Sequence, residues 1–129
     1  MQQIPGLYIA PSPLGGRGVF TSVPIMPGEV IEVCQIIKLP PEELPILHRM
    51  VLHDYYFLWG KNLDAAAIAL GNGSLYNHGE NSNAEFELDL AHETIDILCI
   101  KRIEAGEEIT VNYNGEDGER NPLWFIPKS

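Results

Sequence analysis

Short apolar runs, each broken by glycine, proline or asparagine, recur along the whole chain. Leu7 to Ala10, Gly18 to Thr21, Val30 to Ile37, Tyr55 to Trp59, Ala84 to Leu88, Thr94 to Ile100 and Ile109 to Tyr113 have strand length and β-forming composition. Helical spacing is confined to one stretch. Pro41 suits a first turn, and Leu44, Leu47, Val51 and Leu52 then lie roughly on one face up to Asp54. Pro45 falls inside that stretch, so the helix is expected to begin after it or nearby. Four alanines between Asp64 and Ala69 favour a second short helix, yet Ala67-Ile68-Ala69-Leu70 reads equally as a buried strand. The pattern predicts a mostly β protein with short helices in its connections.

Composition sharpens this. The 129 residues include 12 glycines and 10 prolines spread throughout, which divides the chain into many short elements. At 45% hydrophobic it can bury one real core, and with no linker or low-complexity tract a single domain over residues 1–129 is expected. No apolar run is long enough for a membrane-spanning helix, and the first residues lack the basic start and apolar stretch of a secretory signal. Cys34 and Cys99 supply neither a disulfide framework nor a four-thiolate zinc site, and no metal is expected. A reduced cytoplasmic or nuclear setting fits them best. Eighteen acidic against eight basic side chains give a formal charge of −10. That balance opposes direct nucleic-acid binding and favours a cationic partner.

One pattern occurs twice. Ile25-Met26-Pro27-Gly28-Glu29-Val30-Ile31 and Ile103-Glu104-Ala105-Gly106-Glu107-Glu108-Ile109 share Ile-x-x-Gly-Glu-x-Ile. Each joins two β-rich runs, so each is expected to be a hairpin turn with its glycine at positive φ.

Four clusters are candidates for chemistry. Gly15-Gly16-Arg17-Gly18 lets backbone amides approach a ligand, but it lacks the Lys-Ser/Thr of a phosphate loop, and a plain tight turn explains it in isolation. Tyr76-Asn77-His78 leads into Gly79-Glu80-Asn81-Ser82-Asn83, where His78 has no second His or Cys nearby for a metal. Glu107-Glu108 precede Ile109-Thr110-Val111-Asn112-Tyr113; paired glutamates could do acid–base work, yet at a turn they are usually solvated. Trp124-Phe125 read most simply as an anchor for the C-terminal tail.

In this order and spacing, the clusters resemble the SET-domain family of protein lysine methyltransferases. Gly16-Arg17-Gly18-Val19-Phe20 resembles the family's Gly-x-Gly motif. Asn77-His78 with Asn83 resembles Asn-His-Ser-x-x-Pro-Asn, with Gly79 and Ser82 in place of the usual Ser and Pro. Gly106-Glu107-Glu108-Ile109-Thr110-x-x-Tyr113 resembles Gly-Glu-Glu-Leu-Thr-x-x-Tyr. The likeness runs from about Leu7 to Tyr113, with 114–129 as a tail, and is greatest to the minimal viral and bacterial members. The cysteine-rich zinc segment that follows many SET domains has no counterpart here.

The resemblance implies a β-clip fold of several small sheets in which the C-terminal tail threads, knot-like, past the Asn77-His78 loop. It implies methyl transfer from S-adenosylmethionine to a lysine ε-amine. Tyr113 would orient the reacting groups. Gly16, Arg17 and Gly18 would hold the methionine end of the cofactor, Asn77 and His78 the adenosine, with Trp124 and Phe125 covering it. Tyr55, Tyr76 and Phe86 are the candidates for an aromatic lysine channel. Glu80, Glu85 and Glu87 near the second motif favour a Lys/Arg-rich protein segment, histone-like, as substrate. A homodimer is possible. Two other readings compete: a catalytically inert SET-like module that binds basic peptides or a protein partner, and a small β-rich structural protein whose glycines are only turns.

Overall fold

Each β-rich run forms a strand in the computed structural model, which describes residues 2–112. In chain order the strands are β1 (Leu7–Pro11), β2 (Arg17–Thr21), β3 (Val30–Leu39), β4 (Phe57–Trp59), β5 (Ala65–Ala69), β6 (Asn77–His78), β7 (Ala84–Asp89), β8 (Thr94–Cys99) and β9 (Glu108–Val111). The alanine segment is therefore strand, not helix. It lies between β3 and β4 with Ala66, Ala67 and Ala69 buried, where small side chains let the neighbouring layers close over it.

The helix expected up to Asp54 is three short pieces: a 3-10 turn at Pro41–Glu43, one α-helical turn α1 (Leu44–Leu47), and a 3-10 turn at Val51–Asp54. Pro45 sits in the first turn of α1, and Met50 is extended at φ −120°, ψ 163°, which stops the helix. The apolar stripe is also not a buried face. Leu47 is buried, but Val51 is 80% exposed.

Two sheets result. One has the order β1-β2-β9-β6, with β6 parallel to β9; the other has the order β4-β5-β3-β8-β7. Strand β3 is long enough to serve two partners: Val30 to Gln35 pair with β8, and Ile36 to Leu39 pair with β5. The edges of the five-stranded sheet, β4 and β7, curl toward each other, bringing the rings of Phe57 and Phe86 to 5.2 Å in an edge-to-face contact. One apolar cluster joins the sheets, with Val19, Ile109 and Val111 from the first against Ile31, Ile95 and Ile97 from the second. Each such side chain contributes roughly 1.5–3 kcal/mol on burial.

The repeated pattern forms no hairpin. Its two copies pair with each other. Ile25 and Ile103 exchange backbone hydrogen bonds at 2.9 Å in both directions. The Gly28 N–H donates to Cys99 O and the Gly106 N–H to Thr21 O, while Cys99 N–H donates to Glu29 O and Thr21 N–H to Glu107 O. In each copy the glutamate turns back, Glu29 accepting from Met26 N–H and Glu107 from Glu104 N–H, both at 2.6 Å. Gly28 and Gly106 take φ of 93° and 89°, the left-handed values that favour glycine. The units β2-turn-β3 and β8-turn-β9 are thus related by an approximate two-fold axis and exchange partners: β2 pairs with β9, and β3 with β8.

Candidate functional site

The three motifs meet around one carboxylate. Glu108, at the start of β9, reaches across β2: its Oε1 accepts from Ser12 Oγ at 2.6 Å and its Oε2 from Asn77 Nδ2 at 2.8 Å. It passes over Gly18, where a Cβ would collide with that carboxylate and lie 3.0 Å from Asn77 Nδ2. Only glycine permits the crossing. The Asn77 side chain is buried, and its amide also donates to the carbonyls of Arg17 (3.2 Å) and Gly15 (3.4 Å). Asn83 ties the loop down from the other side, donating to Glu108 O and accepting from Thr110 N–H, each at 2.9 Å.

This clamp sets strand β6 beside β9, with Asn77 opposite Thr110 and His78 opposite Val111. Gly79 continues the ladder through its N–H to Val111 O, and a Cβ there would press on Thr110 at 3.1–3.2 Å. Glycine at the position where the motif usually has serine is therefore matched to the packing. His78 is partly buried, and desolvation holds its imidazole below the usual value against an opposing pull from Glu80, which keeps the ring neutral. The Gly-rich turn between β1 and β2 has Gly15 at φ 129° and Gly16 at φ 56°, with open space beside Gly16 and Arg17 exposed.

A cleft of about 850 Å³ is lined in part by Glu80 and Ser82, between His78 and Asn83, and by Asn112, the residue after β9. Phe86, Leu58 and Asn112 line it, as do Glu80, Glu85 and Glu87. Four consecutive residues of β7, from Glu85 to Leu88, contribute. Neighbouring residues of a strand point to opposite faces, so the cleft runs along the edge of β7 that pairs with no strand among the described residues, rather than over one face. Lys61 and Lys101 also line it, and Lys101 Nζ donates to Asn81 Oδ1.

Of the three aromatic candidates, Phe86 lines this cleft. Tyr55 ends the Val51–Asp54 turn, and Tyr76 is buried with its hydroxyl on Glu32 Oε1 at 2.7 Å; neither is part of the cleft lining. Tyr113, Trp124 and Phe125, and the threading expected of the tail, lie outside the described residues, although Tyr113 directly follows Asn112. Sequence reasoning missed Ser12, the two cleft lysines and Glu108. For Glu108 a signal existed: in a strand, one of two adjacent glutamates must face away from the other. Glu107 caps its own turn, while Glu108 is the hub. Among the described residues no group of three or more His, Cys, Asp or Glu is placed to hold a metal, and no helix is long and apolar enough to cross a membrane.

Known proteins share sequence and fold with this chain. The SET domain family model matches residues 16–114. A Schizosaccharomyces pombe histone-lysine N-methyltransferase specific for histone H3 lysine-37 is 29% identical over 111 residues, covering 85% of this chain and 70% of that protein. The histone-lysine N-methyltransferase set9 of the same organism is 31% identical over 87 residues, 67% of this chain and 19% of its own length. The crystal structure of a Plasmodium falciparum protein named as a histone methyltransferase superposes with a TM-score of 0.71 at 29% identity, covering 90% of this chain and 97% of that one. A chain of the solved ctPRC2 complex has the same fold, with a TM-score of 0.72 at 22% identity over 91% of this chain and 15% of its own. With its three motifs gathered at one clamp and the family match spanning most of its length, the chain belongs to the SET domain family.

Proposed function

We propose that this protein transfers methyl groups from S-adenosylmethionine to the ε-amine of lysine in a basic protein segment such as a histone tail. The observation that carries this reading is the clamp, which joins all three family motifs and leaves the Gly-rich turn and β6 adjacent. S-adenosylmethionine, when bound, supplies a methyl group made electrophilic by its sulfonium. The donor set fits that cofactor. The side-chain Nδ2 of Asn77 is engaged by Glu108, Arg17 and Gly15, so backbone groups of Asn77 and His78 and a neutral imidazole are the groups assigned to the adenosine. The open flank of Gly16 and the exposed Arg17 suit the carboxylate of the methionine end.

The lysine must arrive as a free amine, although its ordinary pKa is about 10.4. A cation beside it lowers that value, and alignment then supplies much of the rate gain. Tyr113, one residue beyond the cleft-lining Asn112, is assigned to orient the amine, and Phe86 to flank its alkyl chain. Tyr76 supports the site from behind. An extended peptide suits a cleft that follows a strand edge, since it can hydrogen-bond to the side of β7 left unpaired among the described residues. Three glutamates draw Lys/Arg-rich segments to that edge. Lys61 and Lys101 make the cleft less acidic than the chain as a whole, so charge favours basic peptides without excluding those with an acidic neighbour.

The test is incubation with isotope-labelled S-adenosylmethionine and purified histones, read by mass spectrometry. Methylated lysine that is lost in Tyr113→Phe supports the reading. Cofactor binding by calorimetry without any transfer would instead favour an inert peptide-binding module, and no cofactor binding would reject both cofactor roles.

A further inference from the structure

Strand β6, which carries Asn77 and His78, is two residues long and, among the described residues, pairs with β9 alone. A ladder of that length cannot fix its own position. The segment before it can. Glu32, on β3 of the other sheet, is buried, and both of its carboxylate oxygens accept hydrogen bonds from the turn that delivers β6: Oε2 from the Asn72 N–H at 2.9 Å and Oε1 from the Tyr76 hydroxyl at 2.7 Å. These donors stand at the two ends of the Asn72–Tyr76 turn. Gly71, at φ 64°, lies against the same carboxylate, and a Cβ there would collide with Oε2. Burial and the adjacent Glu32 push the Tyr76 phenol and the Cys34 thiol well above their ordinary values, so both stay protonated beside it. A buried carboxylate persists only where donors satisfy it; the Cys34 thiol on β3 lies beside this one, and its N–H and O–H donors, Asn72 and Tyr76, belong to one turn.

We propose that Glu32 is a positioning residue for the cofactor contacts: its carboxylate clasps both ends of the 72–76 turn and thereby sets where Asn77 and His78 meet β9. This rests on the reading of Asn77 and His78 as cofactor-binding residues. The action runs from Glu32 through Tyr76 to the next residue, Asn77, whose side chain is the link to Glu108 and the Gly-rich turn. Glu32 lies in the other sheet and its carboxylate bonds to Asn72 and Tyr76 rather than to Asn77 or His78, so its influence on the cofactor is indirect.

The test compares Glu32→Ala, Glu32→Gln, Tyr76→Phe and the double variant Glu32→Ala/Tyr76→Phe with Ile95→Ala, a core truncation on β8 far from the turn in sequence. S-adenosylmethionine affinity is measured by calorimetry, stability by denaturation, and amide hydrogen exchange at Asn77 and His78. Loss of the Tyr76–Glu32 hydrogen bond, which both variants share, predicts a rise in Kd of at least about tenfold for Glu32→Ala, which also loses the Asn72 bond, and of about tenfold for Tyr76→Phe, with faster exchange at both amides. The double variant should be no worse than the weaker single variant. Glu32→Gln, whose amide can still accept from Asn72 and donate to the Tyr76 oxygen, should recover most of the affinity. Ile95→Ala should lose stability yet keep its affinity. Additive effects, or affinities that simply follow stability as in the Ile95 control, would overturn the proposal. Should Glu32→Ala fail to fold, the nearly isosteric Tyr76→Phe carries the comparison. If the parent protein binds no S-adenosylmethionine, the cofactor reading fails, while exchange at Asn77 and His78 still decides whether Glu32 positions them.

Discussion

Replacing Gly18 by alanine should cost far more than one methyl group suggests. The backbone at Gly18 is not left-handed, so alanine is conformationally acceptable there and even gains slightly over glycine in a strand. The added Cβ, however, occupies the path of the Glu108 carboxylate. Something must yield, and the flexible element is Glu108. Turning it aside breaks its hydrogen bonds to Ser12 (2.6 Å) and Asn77 (2.8 Å). Bonds to a charged group contribute roughly 1.5–3 kcal/mol each and are not additive, so we expect a net loss of about 3 kcal/mol. For a domain of this size that is a fall in Tm of roughly 10 °C, within the reserve of a stable protein. Glu108→Ala should cost about the same by removing the same bonds. The double variant should then lose about 3 kcal/mol rather than about 6, because the collision vanishes with the carboxylate. Urea denaturation followed by circular dichroism measures all four proteins. Additive losses, or a Gly18→Ala protein within about 1 kcal/mol of the parent, would refute the crossing as the reason for glycine.

Four further outcomes are expected. Tyr113→Phe should abolish methyl transfer while S-adenosylmethionine affinity stays within about threefold, because the ring is kept and only the hydroxyl is lost; turnover at the parental rate would remove Tyr113 from the site. Deleting residues from Pro122 onward should weaken cofactor binding about tenfold by calorimetry if Trp124 and Phe125 cover it, and unchanged affinity would make them bystanders. Glu85→Gln combined with Glu87→Gln should lower kcat/KM for an Arg/Lys-rich peptide by about three- to tenfold, with the difference shrinking as salt rises. His78 binds its proton less readily in the native protein than in the unfolded chain, so its contribution to stability is full above the ordinary value of 6.5 and is lost as pH falls through 6.5 toward the depressed native value. Urea midpoints for His78→Gln should show a flatter pH dependence over that window.

The strands were legible because their boundaries are chemical: Gly6, Pro27-Gly28, Asn83 and Gly106 interrupt apolar runs that have no competing period. Position 65–69 was ambiguous for a physical reason. Alanine has the highest helix propensity and also the smallest side chain that a crowded sheet can accept, so burial between β3 and β4 decided the outcome. The stripe from Leu44 to Leu52 misled because spacing alone does not reveal whether a core exists for a face to meet; Val51 has none. The motifs located the candidate site without naming its hub. Glu108 and Glu32 act through contacts to residues 31 to 96 positions away in the chain, and no local pattern encodes those distances. The repeat was visible, but its pairing was not. A hairpin turn and a partner-exchanging turn use the same glycine at the same φ, and only the destination of the following strand separates them.

That exchange of partners bears on how the protein comes to exist. Strand β2 finds its neighbour β9 only near the end of the described residues, and among them β6 has no other partner. During synthesis the N-terminal half can close the β1–β2 hairpin and the β3–β5–β4 ladder, but it leaves one edge of β2 and one of β3 open until β8 and β9 emerge. Contacts so distant in sequence close slowly, and waiting edges are prone to pair wrongly. A chain cut between the two units would hold two halves that each display the edge the other needs. Such fragments should associate when mixed, and two copies of one half could substitute for the missing partner. The cofactor contacts proposed here would therefore be among the last features to assemble, completed by the strand that leads directly to Tyr113.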